Sequence, residues 1–295
     1  MKLKECFSAK RNIIAVILAG VLAMSGCTSQ IGSESAPPIL PNNSNIVNIP
    51  TNYVTIQGVE YEIAATTELD LSRSGITDSD LVEIAKLKEL FTLNLSENEI
   101  SDISPLERLT HLERLDLSAN NISDISPLFN ILNLTWLDLY SNKISDISVI
   151  ERFDDLEHLY LSQNQISDLS PLADLNNLSD LELGVNPISD LSPLANLKEL
   201  KNLNLSMTEI SDVSPLKNLK KLEFLSLSFN KISDISTLVN LKNLQYLYLG
   251  NNQISNISPL ANMTNLLKLA LIENQITEAD QNWLLEQLPD CDIII

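Results

Sequence analysis

A pair of leucines separated by one residue returns every 22 residues, and this repeat constrains the fold more than any other feature of the sequence. One such unit, called a coil below, cannot bury its own apolar side chains, so successive coils must stack and cover one another. The sequence therefore predicts one elongated domain, although 295 residues would ordinarily suggest two. Leu69 with Leu71 opens the array, and nine further pairs begin at Leu93, Leu115, Leu137, Leu159, Leu181, Leu203, Leu225, Leu247 and Leu269.

Seven apolar positions recur along the coils and predict a continuous core. In the first coil they are Leu90, Leu93, Leu95, Ile100, Ile103, Leu106 and Leu109. An asparagine column beside them should point inward and satisfy backbone groups where each strand turns away. Thr208 occupies this column in one coil, where we expect a weaker joint because threonine makes fewer hydrogen bonds. The asparagines are Asn98, Asn120, Asn142, Asn164, Asn186, Asn230, Asn252 and Asn274.

The segment Ser-Asp-Ile-Ser-Pro-Leu, first at residues 101–106, follows the strand in most coils. Ser104 suits an N-cap and Pro105 the first position of a short helix, of the 3₁₀ type because few residues remain in the coil. This motif and the Leu-x-x-Leu-x-Leu-x-x-Asn-x-Ile pattern resemble the internalin type of leucine-rich repeat. The resemblance covers residues 67–295 and implies an α/β solenoid. That fold is a horseshoe with a concave parallel β-sheet and short convex 3₁₀ helices.

The two ends of the array depart from the repeat, as terminal coils of solenoids do. Residues 51–66 predict a β-hairpin cap that turns at Gln57 and Gly58. Residues 67–276 form the array, and residues 277–295 form a C-terminal cap. Thr77-x-x-Asp80 and Thr277-x-x-Asp280 resemble capping boxes, and each precedes a longer helical pattern.

The N-terminal segment predicts export. Four basic residues and one acid stand within residues 1–12, and residues 13–24 carry no charge. Twelve residues span about 18 Å as a helix, short of the roughly 30 Å hydrocarbon core, so a permanent transmembrane helix is the weaker alternative. Residues 24–27, Met-Ser-Gly-Cys, resemble the lipobox of bacterial lipoproteins, in which the cysteine is lipidated. The alternative is an ordinary signal followed by a chance cysteine.

The interpretation that follows is a signal peptide at residues 1–26, lipid attachment at Cys27 and a flexible tether over residues 27–50. It places the protein at the bacterial cell surface, on the outer face of the cell membrane or on the outer membrane. Cys6 leaves with the signal and Cys27 carries lipid, so Cys291 has no intrachain partner. We expect Cys291 to be a small buried hydrophobe, with a reactive thiol as the alternative.

The net charge argues against nucleic acid as a partner. With 19 basic against 39 acidic residues, the formal net charge is -20, whereas nucleic-acid binders need a basic face. Anionic membrane surfaces are disfavoured as electrostatic partners for the same reason.

Candidate binding residues flank the core leucines of the strands, because side chains alternate between the two faces of a strand. Two aromatic groups are predicted on the concave face, with four acids beside the first. The first group is Trp136, Tyr140 and Tyr160 with His158, the second is Phe224, Tyr246 and Tyr248, and the acids are Asp116, Asp138, Asp180 and Glu182.

Clustered exposed aromatics are typical anchors of interfaces, and the acids favour a basic protein partner. The alternatives are aromatics that merely cover a sheet, a glycan ligand that stacks on the rings, and a structural role in the envelope. The resemblance to internalins makes a host receptor a candidate partner, with a target in the bacterium's own envelope also open. We expect a monomer.

An enzyme is the weakest hypothesis. His158, Asp180 and Ser162 fall near one another, but an open sheet offers no evident pocket or oxyanion hole. The sequence contains no glycine-rich phosphate loop, no G-x-S-x-G and no H-E-x-x-H motif. His158 with Asp138 and Asp180 would make a poor metal site. We therefore expect no catalytic residue, no metal and no cofactor.

Overall fold

The computed structural model describes residues 52–295 as a solenoid built around one parallel sheet of eleven strands. The signal peptide, Cys27 and the tether lie outside the described residues. The strands follow one another in chain order, as the 22-residue repeat predicts. Their bounds are β3 Glu68–Asp70, β4 Thr92–Asn94, β5 Arg114–Asp116, β6 Trp136–Asp138, β7 His158–Tyr160, β8 Asp180–Glu182, β9 Asn202–Asn204, β10 Phe224–Ser226, β11 Tyr246–Tyr248, β12 Lys268–Ala270 and β13 Asp292–Ile294.

The leucine pairs set the register of this sheet. Leu137 lies opposite Leu115 and Leu159, so equivalent leucines of successive coils stack on one another. These side chains are fully buried, as are nearly all residues of the seven apolar columns. The predicted core is therefore confirmed. The outward side chains of β3 to β13 form the opposite surface of the sheet, called the concave face below.

The asparagine ladder is confirmed and ties each coil to the one before it. Asn120 Oδ1 accepts a hydrogen bond from Ile100 N–H at 3.0 Å. Its Nδ2 donates to Leu95 O at 2.9 Å, in the preceding coil, and to Leu117 O at 3.0 Å, in its own. These bonds satisfy buried backbone groups that the strand ladder does not reach.

Thr208 interrupts this ladder. Its single hydroxyl hydrogen has two acceptors within reach of Oγ1, Leu205 O at 3.0 Å and Asn230 Oδ1 at 2.7 Å, and these lie in its own coil and in the following one. In the other coils the equivalent N–H donates to the asparagine side chain, but Ile188 N–H donates to Asn186 O instead. The geometry agrees with the prediction of a weaker joint, which remains a prediction for measurement.

Within residues 52–295, eight short 3₁₀ helices follow the strands on the outer side, as predicted, but the predicted serine cap is wrong. The first helix begins at Ser104 itself, and its N–H donates to Asp102 Oδ1 at 2.8 Å. Aspartate two residues earlier reaches this free N–H in an Asx turn, so the serine hydroxyl is not needed. The helices are Ser104–Arg108, Ser126–Asn130, Ser148–Arg152, Ser170–Leu172, Ser192–Asn196, Ser214–Asn218, Ser236–Asn240 and Ser258–Asn262.

The N-terminal hairpin is confirmed: β1 (Tyr53–Ile56) pairs antiparallel with β2 (Val59–Glu62). The longer helix predicted after Thr77 is wrong, because helix α1 covers only Leu81–Ile84. Its core contacts explain the short length, since Leu81, Ile84, Leu87 and Leu90 are all fully buried. Residues spaced three apart drift around a helix with 3.6 residues per turn, so a longer helix could not bury all four of them on one face.

The C-terminal cap consists of helix α2 (Glu278–Gln287) and strand β13. Thr277 caps α2 as predicted, because its side chain accepts from Asp280 N–H. Cys291 is half-buried rather than fully buried, and burial raises the pKa of its thiol to about 11. Within residues 52–295, no helix is both long enough and apolar enough to span a bilayer.

Candidate functional site

The first aromatic group centres on a diagonal contact between neighbouring strands. The ring centroids of Trp136 and Tyr160 lie 5.4 Å apart at an angle of 51°. Trp136 on β6 lies directly opposite His158 on β7, and Tyr160 is two residues further along β7, so the Trp136 and Tyr160 rings meet diagonally. On the other side, the Arg114 guanidinium lies 3.4 Å from the centre of the Trp136 ring, a cation–π geometry. Trp136 is therefore held between side chains of β5 and β7.

The other two members of that group lie apart from this contact. His158 Nδ1 is 2.9 Å from Asp180 Oδ2 on the next strand. Tyr140 lies near the acids rather than against the other rings, and its pKa is raised by burial and by the charges of Asp138 and Glu182. The structure thus divides the first group into an aromatic pair, an imidazole–carboxylate pair and a tyrosine beside carboxyl groups.

The second aromatic group repeats the same geometry. The ring centroids of Phe224 and Tyr248 lie 5.5 Å apart at 45°, again diagonally across neighbouring strands. Tyr246 lies opposite Phe224 on one side and Lys268 on the other. Lys268 Nζ is 3.3 Å from Asp292 Oδ2, so an ion pair borders this group at the C-terminal end of the sheet.

Three of the predicted acids form a half-buried row that is interrupted by Tyr160. Asp116 and Asp138 lie directly opposite each other on β5 and β6, and Glu182 lies two strands further on. Burial, followed by the charge of Asp116, raises the pKa of Asp138 to about 8. Burial and the charge of Asp180 raise the pKa of Glu182 to about 7. Burial also raises the pKa of Asp116.

Asp180 behaves differently because it has more hydrogen-bond donors. Burial alone would raise its pKa, but hydrogen bonds from His158, Ser179 and Asn202 outweigh burial and keep the pKa below its ordinary value. Ser179 Oγ donates to Asp180 Oδ2 at 2.6 Å, and the Asn202 amide donates to Oδ1. The donors around Asp180 therefore favour its ionised form, whereas burial disfavours the ionised forms of Asp138 and Glu182.

Sequence reasoning missed Arg114, Ser179, Asn202 and Asn204 as parts of this site. Arg114 shares a column with Trp136 and His158, and Asn204 shares one with Glu182, to which it is hydrogen bonded. The column positions were a usable signal for all but Ser179, which precedes its strand.

The residues considered for catalysis are only partly brought together. His158 contacts Asp180, but Ser162 Oγ is buried without a hydrogen-bond partner in the described part of the chain. The serine is thus not connected to the imidazole. Among residues 52–295, no group of three or more His, Cys, Asp or Glu side chains is arranged to hold a metal ion.

Known proteins share this fold and repeat. The family model described as Leucine Rich repeats (2 copies) matches residues 88–130, 132–174, 154–196, 198–240 and 242–284, and that described as Leucine Rich repeat matches residues 67–85. No curated protein matches the chain significantly.

Three solved structures illustrate the range of similarity. The internalin inlF from Listeria monocytogenes is 33% identical, with 79% of this chain and 81% of that chain covered and a TM-score of 0.57. Internalin C2 from the same organism is 39% identical, with 66% and 84% covered and a TM-score of 0.61. The ectodomain of the Arabidopsis receptor kinase HAESA, in complex with an IDA peptide hormone ligand, is 27% identical, with 70% and 38% covered and a TM-score of 0.62. The 22-residue repeat, the sheet it builds and these matches show that the chain belongs to the leucine-rich repeat family, in its internalin type.

Proposed function

We propose that this protein is a non-enzymatic binding protein that engages a basic protein ligand on the concave face. The observation that carries the proposal is the arrangement around Trp136, which is held by Arg114 and Tyr160 beside the carboxyl groups of Asp138 and Glu182. Large rings fixed by their neighbours lose little conformational entropy on binding, and such anchors dominate interface energies.

The carboxyl groups favour a cationic group on the ligand. A lysine or arginine placed over Asp138 and Glu182 would stabilise the ionised forms that burial now disfavours, and it would relieve the repulsion between Asp138 and Asp116. Charge complementarity of this kind also speeds association and selects among partners. Proteins of this family are generally scaffolds for protein binding, which agrees with this role.

A glycan is the second candidate, because sugars stack on aromatic faces. The contacts of Trp136 favour a protein ligand instead. Arg114 from β5 lies over one face of its ring, and Tyr160 from β7 approaches the ring at an angle of 51°, so less of the ring is open to flat stacking by a sugar. A structural role in the envelope is a third candidate, favoured by no specific contact.

Location belongs to the same proposal. We propose that residues 1–26 are a signal peptide, that Cys27 is lipidated and that residues 27–50 tether the solenoid at the bacterial surface. The charge pattern and the lipobox-like residues 24–27 support this placement. A display position of this kind would expose the concave face to ligands outside the cell.

The test is capture of partners by immobilised protein, residues 28–295, from host-cell surface extract, from bacterial envelope extract and on a glycan array. Trp136→Ala/Tyr160→Ala and Phe224→Ala/Tyr248→Ala variants run beside the wild type, after circular dichroism has shown that they fold. A protein retained by the wild type and lost by a variant supports the proposal. Retention by both variants moves the site away from the concave aromatics, and capture of glycans alone overturns the protein ligand.

A further inference from the structure

We infer that the ligand is an extended polypeptide segment that runs across the strands and places two apolar side chains, about six residues apart, on the Trp136/Tyr160 and Phe224/Tyr248 pairs. This inference rests on the proposed function and specifies its ligand. It follows from the spacing, the shape and the charge of the surface between the two aromatic pairs.

The two pairs are equivalent positions of the repeat. Trp136 and Phe224 occupy the same column four coils apart, and so do Tyr160 and Tyr248. Both contacts run diagonally, with centroid distances of 5.4 and 5.5 Å and similar angles. Two alike anchors on one face, in one orientation, suit a ligand that makes the same kind of contact twice.

The spacing sets the length of the ligand. Neighbouring strands lie about 4.8 Å apart, so four coils separate the pairs by about 19 Å. An extended chain advances about 3.3 Å per residue, so about six residues span this distance. Side chains alternate in an extended chain, and an even interval returns both anchors to the face that meets the sheet.

The surface between the two aromatic pairs is lined by short polar side chains. Asn204, Ser206 and Ser226 are at most 7% exposed, while the four aromatic rings are half-buried. Gly184 has no side chain there, and an added Cβ would lie 3.1 Å from Ser206 O. Short side chains bounded by rings leave room for a peptide backbone, and the half-buried amide of Asn202 can bond to its peptide groups in addition to the hydrogen bond that it donates to Asp180.

Charge places a third feature in the ligand. Asp180 and Glu182 lie on β8, the strand next to Tyr160, whereas the outward side chains of β9 and β10 are uncharged. We therefore expect a lysine or arginine two or three residues from the side chain that contacts Trp136 and Tyr160. The peptide resulting from all three features is apolar at both ends and basic near one of them.

The experiment selects 12-residue peptides from a random display library on immobilised protein, residues 28–295. The expected peptides carry two apolar residues six positions apart with a basic residue between them. Binding should fall at least tenfold in Trp136→Ala/Tyr160→Ala and, separately, in Phe224→Ala/Tyr248→Ala. Synthetic peptides with anchor intervals of four to eight residues should bind best at six.

Excision of one coil changes the spacing without changing either pair. Deleting residues 186–207 joins equivalent positions of two coils and brings the pairs about 5 Å closer, because coils contact mainly their neighbours. The preferred interval should shorten to four or five residues. Deleting residues 252–273 also removes one coil but lies beyond Tyr248, so it should leave the preferred interval at six.

Three results would overturn the extended ligand and leave the proposed function standing. They are binding that depends on one aromatic pair alone, an affinity that does not vary with the anchor interval, and capture of folded proteins but no peptides. Failure to capture any protein or peptide overturns both. Synthetic peptides tested on the wild type keep the inference falsifiable if the excised chain does not fold.

Discussion

Replacing Asp138 by asparagine should stabilise the protein at neutral and alkaline pH. The pKa of Asp138 is raised to about 8, chiefly by burial and then by the charge of Asp116. Between pH of about 4 and 8, the folded chain therefore holds a proton that the unfolded chain has released. The free energy of unfolding falls as the pH rises through this window. Asparagine carries no charge and can still accept the hydrogen bond from Tyr140 N–H.

The magnitude follows from the pKa. One pKa unit corresponds to about 1.4 kcal/mol, so a value of about 8 against 3.8 sets a ceiling of about 6 kcal/mol. Effective dielectric constants near 20 describe even buried sites, so the free-energy cost of the ionised form lies well below this ceiling. We therefore expect Asp138→Asn to raise the free energy of unfolding by about 2 kcal/mol at pH 8, and by almost nothing at pH 4.

The assay is urea unfolding of residues 28–295, followed by far-ultraviolet circular dichroism, at pH values from 5 to 8. The wild type should lose stability across this range, and Asp138→Asn should lose less. Asp146→Asn is the matched control, because hydrogen bonds from Ser148 keep the pKa of that exposed acid below its ordinary value. It titrates below the range and should leave the slope unchanged. Equal slopes for Asp138→Asn and the wild type would refute the argument from burial.

Three further predictions concern the joint, the ligand and the anchor. Thr208→Asn should raise the free energy of unfolding by about 1 kcal/mol, since the new side chain can accept from Ile188 N–H and donate to Leu183 O, as its counterparts do in other coils. A lower urea midpoint in this variant would contradict the weak joint. Affinity for a basic ligand should fall as the pH is lowered from 8 to 6, because Glu182 and Asp138 take up protons with pKa values of about 7 and 8. Isothermal calorimetry at three pH values tests this, and an affinity that does not vary with pH would exclude the carboxyl groups from the interface. Cys27→Ser should release the protein from the membrane fraction on cell fractionation, and an unchanged membrane fraction would exclude lipid attachment at that residue.

The sequence by itself determined the solenoid, its strand register and its core. A 22-residue period leaves the leucines of Leu137-x-Leu139 no way to be buried except against their equivalents in neighbouring coils. The same column logic placed Trp136 and Tyr160 on neighbouring strands. It could not find the left-handed backbone at the position just before the asparagine column, where Val185 has a φ of 59°, because no coil of the array carries a glycine there.

Only the tertiary structure decided which side chains touch. Column positions fix the neighbours of a residue but not its rotamer, so the diagonal contact of Trp136 with Tyr160 and the stacking of Arg114 were not deducible from spacing. The contrast between Asp180 and Asp138 also depended on three-dimensional detail. Both are aspartates on adjacent columns of the same sheet, but Asp180 receives hydrogen bonds from three side chains, while Asp138 is buried beside Asp116. Burial and donor count set the charge of each acid, and both are properties of the packed sheet rather than of the repeat.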